Sequence, residues 1–226
     1  QLAEQLGPEA FTPLISSDRE LIAQVGRTGR AIAAGQPATA EVLDLIELNH
    51  PLASQWALQY ARELPAEDAQ PILVGIVLAI DGPPRLQSLR VESTVFATQV
   101  LIEDDPNGEA VLRSLIEQTR RMDGESEQIG ELMQSAILMG LIRSRADDPY
   151  RVIEHVDEFV SPMASAMALL LKAKSDRPLS DAEMEQLALI VRGGPGLREP
   201  LRLQAAWSYL KRTRQQEVAL ADVLSQ

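Results

Sequence analysis

Two histidines, His50 and His155, are all that the chain offers for imidazole chemistry, and no cysteine accompanies them. That inventory removes thiolate ligands, thiol nucleophiles and disulfides together, and it excludes a histidine-rich metal site within one chain. The run Glu47-Leu48-Asn49-His50 sets a carboxylate and an imidazole on one helix face, the pairing that di-iron bundles use. A complete site needs that pairing twice, and Val152 stands three residues before His155. Pro51 also puts His50 at a helix junction, so a surface or capping histidine is expected. Glu103, Asp105, Asn107 and Gly108 imitate the first half of a calcium loop, but Ser114 stands where the closing bidentate glutamate belongs. A helix stop followed by an acidic helix start accounts for the same residues.

Two glycine-rich stretches, Gly26-Arg27-Thr28-Gly29-Arg30 and Gly193-Gly194-Pro195-Gly196, lack the lysine and hydroxyl of a phosphate loop. Free amides after the second, with Arg198 nearby, could hold an anion, yet a glycine stop before a proline-initiated helix explains the letters as well. There is no Gly-x-Ser-x-Gly elbow, and paired carboxylates are frequent simply because acids are. The sequence therefore assigns no catalytic residue, no metal ligand and no cofactor.

Charge is the remaining asymmetry. The formal net charge is −12, which argues against nucleic acid as a partner, because phosphate neutralisation supplies most of that affinity. Residues 192 to 214 run the other way, with Arg192, Arg198, Arg202, Lys211, Arg212 and Arg214 against the single acid Glu199. Arg202 falls in the first turn of a helix, where the dipole disfavours a cation. Two readings stand: a solvated helix face, or a patch of Arg198, Arg202, Lys211 and Arg212 that docks an acidic protein partner.

The elements that must position these residues read as helices. Apolar residues make up 45% but aromatics only 4%, so Leu, Ile, Val, Ala and Met must fill the core, a palette suited to closely packed helices. Pro, Gly and capping residues divide the chain into about a dozen segments joined by short connections, which predicts antiparallel neighbours. Ser17 with Glu20 and Ser180 with Glu183 have capping-box spacing. Leu52, Ala53, Trp56, Ala57, Tyr60, Ala61 and Leu64 mark one helix face. Pro71 is expected to open a segment through Ile80, and Ile129, Leu132, Met133, Ala136, Ile137, Gly140 and Leu141 form the clearest amphipathic stripe. Asp147-Asp148-Pro149 is expected to open a helix through about Phe159, and Pro200 one that carries Ala205, Ala206, Tyr209 and Leu210. The longest apolar run, Ile72 to Ile80, is shorter than the roughly 20 residues of a membrane-spanning helix.

Small-residue patches at Trp56-Ala57-Leu58, Val95-Phe96-Ala97 and Ala136-Ile137-Leu138 recur at the spacing of a two-helix unit. With Pro51-Leu52-Ala53-Ser54-Gln55-Trp56-Ala57-Leu58 and Leu201-Arg202-Leu203-Gln204-Ala205-Ala206-Trp207, the chain resembles the HEAT-like helical repeat proteins. The resemblance implies a stacked helical scaffold that binds protein partners and carries no catalytic residues. The expectation is thus one all-α domain over residues 1 to 226, an irregular α-solenoid or an orthogonal bundle, with a possible sub-boundary near 145 to 150. It serves as a non-catalytic interaction domain of a larger or processed protein. The alternative is an enzyme or ligand carrier with a pocket between helices. Gln1 in place of Met implies that any targeting segment is missing, so no compartment follows.

Overall fold

A computed structural model of the chain describes residues 5–48, 50, 52–80, 86–122, 124–156, 158–193 and 199–224, and at residues 125 and 215–224 the backbone alone. Of the described residues 76% are helical and none forms a strand. The helices are α1 (Thr12–Ile15), α2 (Glu20–Ala33), α3 (Thr39–Glu47), α4 (Ala53–Ala61), α5 (Ala66–Leu78), α6 (Gln87–Asp104), α7 (Gly108–Thr119), α8 (Glu127–Arg143), α9 (Pro162–Lys174), α10 (Asp181–Val191) and α11 (Glu199–Leu224). Short 3-10 turns occupy Pro8–Phe11, Gly124–Ser126 and Pro149–Val152. The chain forms two compact units, Gln1–Ser114 and Leu115–Gln226, so the division falls inside α7 and residues 145 to 150 lie within the second unit.

In the first unit α2 packs on α1, α3 on α2, and α4, α5 and α6 on one another. Val42, Leu45, Ile72, Ile76 and Val77 are buried there. The glycine stretch of residues 26 to 30 lies inside α2 and serves this packing. A Cβ at Gly26 would come within 2.7 Å of the Ile15 backbone nitrogen, and one at Gly29 would enter the Phe11 ring. Gly35, at φ +67, stops α2 as its left-handed backbone requires. Ser17 caps nothing in the expected way: α2 begins at Glu20 after Arg19, and the Ser17 hydroxyl accepts the Arg19 N–H instead.

Three further expectations are corrected. Helix α5 starts at Ala66, so Pro71 sits inside it rather than opening it. The described residues between 149 and 159 make no α-helix: the 3-10 turn ends at Val152, and the Val160 N–H donates to Gln134 Oε1 at 3.0 Å, a tertiary contact that holds the chain open before Ser161. Pro51 lies outside the described residues, and on α4 the buried face is Ala53, Ala57, Leu58 and Ala61, with Leu52 and Trp56 exposed. The Ser180 capping box, by contrast, is present with both of its hydrogen bonds.

The two units share a plan. In the first, α2, α3, α4, α5 and α6 follow in order, and in the second α8, the Pro149–Val152 turn, α9, α10 and α11 do. The pairings correspond as well: α4 with α5, α5 with α6 and α4 with α6 match α9 with α10, α10 with α11 and α9 with α11. Five of eight letters agree at the start of the third element, Pro51-Leu52-Ala53-Ser54-Gln55-Trp56-Ala57-Leu58 against Pro162-Met163-Ala164-Ser165-Ala166-Met167-Ala168-Leu169. A hydrogen bond agrees too. Arg90, the fourth residue of α6, donates to the Ala79 carbonyl at the end of α5, and Arg202, the fourth residue of α11, donates to the Val191 carbonyl at the end of α10.

Candidate functional site

The residues singled out for docking are mostly engaged within the chain. Arg202 Nη2 reaches the Val191 carbonyl at 3.1 Å, satisfying an acceptor that the end of α10 leaves unpaired. Its position in the first turn of α11 is thus explained by the C-terminus of the preceding helix, whose dipole favours a cation. Arg212 Nη2 donates to the Arg177 carbonyl at 2.8 Å, just past the end of α9, and Lys211 Nζ bonds Asp176 Oδ1 at 2.8 Å. Asp176 holds a left-handed backbone, φ 55, so these two cations brace the turn that ends α9. Arg198 lies outside the described residues. Arg192 and Arg214 are exposed. Lys174 works in the same way at another helix end, with Nζ 2.8 Å from the Ile142 carbonyl and 2.6 Å from that of Ser144.

Three large apolar side chains stand outward among the described side chains of α11. Leu201, Ala205 and Ser208 are its buried side, whereas Leu203, Trp207 and Leu210 are 64%, 73% and 62% exposed. Leu210 belongs to the outer face. The spacing of Leu203, Trp207 and Leu210 is legible in the sequence, but so is that of Leu201, Ala205 and Ser208, and periodicity alone does not say which stripe packs.

A groove of about 330 Å³ lies in the second unit, between the segment after Pro149–Val152, α9 and α10. Ile153, Ala168 and Leu169 are its buried floor, and Tyr150, Val156, Glu158, Phe159, Ser165, Lys172, Glu183 and Gln186 surround it. Lys172 Nζ and Glu183 Oε1 are 2.6 Å apart, while Glu183 Oε2 accepts the Ser180 N–H at 2.8 Å and its hydroxyl at 3.1 Å. Burial alone would raise the Glu183 pKa, but the hydrogen bonds from Lys172 and Ser180 outweigh it and hold the carboxyl below its ordinary value. Arg177 is likewise raised above its ordinary value by its hydrogen bond to Asp148, 2.6 Å away, despite some desolvation.

The metal readings find no geometry. His50 Nδ1 accepts the Leu52 N–H at 3.3 Å and its ring lies 6.0 Å from that of Trp56, while Glu47 is exposed. Asp105 Oδ1 accepts the Asn107 N–H and Oδ2 accepts from Gln70, so this acid fixes the turn between α6 and α7. Among the described residues no three His, Asp or Glu side chains converge on a metal position, and no helix is long and apolar enough to cross a membrane. No protein family, curated protein or solved structure matches the chain.

Proposed function

We propose that this chain is a non-catalytic helical scaffold that docks a protein partner through the outer face of α11. The observation that carries the reading is the stripe of Leu203, Trp207 and Leu210, three large apolar side chains on one helix face that are more than half exposed. Such a cluster marks an interaction surface, and tryptophan is the residue most enriched where binding energy concentrates. The fold does not demand it. The outer side of α6, the corresponding helix of the first unit, reads Ser88, Glu92, Phe96 and Glu103 and is polar apart from one phenylalanine.

Charge selects the partner. Lys211, paired with Asp176, and Arg214 continue the stripe toward the C-terminus, both exposed, so the surface suits an amphipathic helix whose apolar face is bordered by acids. The HEAT-like reading of the stacked helical hairpins belongs to the same proposal, since such scaffolds present helix faces to partners. The basic residues near α11 then divide by role: Arg202, Arg212 and Lys211 brace the fold, Lys211 while also bordering the docking face, and Arg214 borders that face alone.

The test uses Trp207 as reporter in a Trp56→Phe background of the full chain, which otherwise holds two tryptophans. The probe is a synthetic helix with leucines at i, i+3, i+4 and i+7 flanked by glutamates, and its control carries lysines instead. A saturable blue shift with the acidic helix, weakened by salt and abolished by Leu203→Ser with Leu210→Ser, is expected. An equal response to both peptides, or none, overturns the reading.

A further inference from the structure

The groove beside α9 and α10 is a departure from the plan that the two units share. In the first unit the corresponding space is occupied by helix α3, which packs on both α4 and α5 and buries Val42, Leu45 and Ile46. In the second unit that helix is replaced by a 3-10 turn and the open segment that Gln134 holds at Val160. Continuing the match of Pro51–Leu58 with Pro162–Leu169 by three residues brings buried Ala61 opposite Lys172. The second unit thus has no α-helix at this place, and Lys172, paired with Glu183, stands where the first unit has the methyl group of Ala61.

We propose that this groove binds a small organic ammonium, its apolar body over Ala168 and Leu169 and its cationic group at Glu158. About 330 Å³ lies in the range of pockets that take small molecules, and the lining sets polar and charged side chains around an apolar floor. Three ionisable groups of known sign line it. Lys172 and Glu183 neutralise each other at 2.6 Å, and the second Glu183 oxygen is filled by Ser180. Glu158 is exposed and has no ion pair among the described residues, so the uncompensated charge of the groove is negative. Tyr150 and Phe159 also line the groove, and aromatic rings are able to attract cations through their quadrupoles. The chain's net charge of −12 acts in the same direction at long range.

The probe is phenethylamine, and 3-phenylpropionate is a control of similar body and opposite charge. Methyl chemical shifts of the full chain are followed at physiological ionic strength. The amine is expected to shift the Ala168 and Leu169 methyls saturably, with the carboxylate leaving them unmoved. Glu158→Gln, a change at an exposed position, should leave the spectrum folded and weaken the amine roughly fivefold, the scale of one partly exposed ion pair. Equal shifts with both probes, shifts spread over acidic surfaces away from the groove, no saturable response, or undiminished binding to Glu158→Gln would each overturn the proposal.

Discussion

Glu183 shows how much a single side chain does in the second unit. It closes the capping box of α10 with one oxygen and receives Lys172 from α9 with the other. Because these bonds hold the folded carboxyl below its ordinary value of 4.5, the unfolded chain takes up the proton first on acidification. The carboxylate's contribution is therefore complete above about pH 4.5 and is lost as pH falls through the folded value. Glu183→Gln should lower stability by about 1 kcal/mol at pH 7, and its stability should fall less steeply than that of the parent between neutral pH and pH 3. Urea unfolding at the two pH values checks both, and parallel acid limbs would contradict the sign. The capping box itself was readable from Ser180 and Glu183, since its partners lie three residues apart. Lys172 was not, because its partner is reached only when α9 and α10 fold back on each other. Arg202 and Arg212 carry the same lesson: their charge is plain in the sequence, but the carbonyls they satisfy are brought to them by helix packing.

At the scale of elements, Gly26 shows what a helix interior does with a residue that weakens helices. Alanine is the better helix former by about 1 kcal/mol, so on an open helix Gly26→Ala would stabilise. Here the added Cβ would meet the Ile15 backbone at 2.7 Å and the Leu14 Cβ at 2.8 Å, so α1 must move. Overpacking of that kind costs about 1–3 kcal/mol, and a net loss of stability is expected in chemical denaturation. A gain would show that α1 adjusts freely. The segment after Asp147-Asp148-Pro149 illustrates the opposite override. Its letters predict a helix, and the start signal is obeyed for one 3-10 turn, after which Gln134 on α8 captures the Val160 N–H. Buried Val152 and Ile153 meet the core from that turn without needing a helix to carry them.

For the whole molecule, stability is expected to come from apolar packing with helix ends satisfied by side chains from neighbouring helices, and not from a metal. Chelation should leave the unfolding midpoint unchanged, as a thermal scan with and without EDTA checks; a fall reversed by one particular cation would contradict it. The sequence by itself determined the helical class, because a core of Leu, Ile, Val, Ala and Met with few aromatics, divided at short intervals by Pro and Gly, leaves little to build a sheet from. It also determined most helix positions and their punctuation, which depend on neighbours within a few residues. Only the tertiary structure decided that the division falls inside α7, which face of α11 is buried, where Arg202 and Arg212 turn, and that a groove opens where the first unit keeps a helix. The reason is range: periodicity and capping act over one or two turns, while the choice between two plausible faces of a helix is made by whatever packs against it from far along the chain.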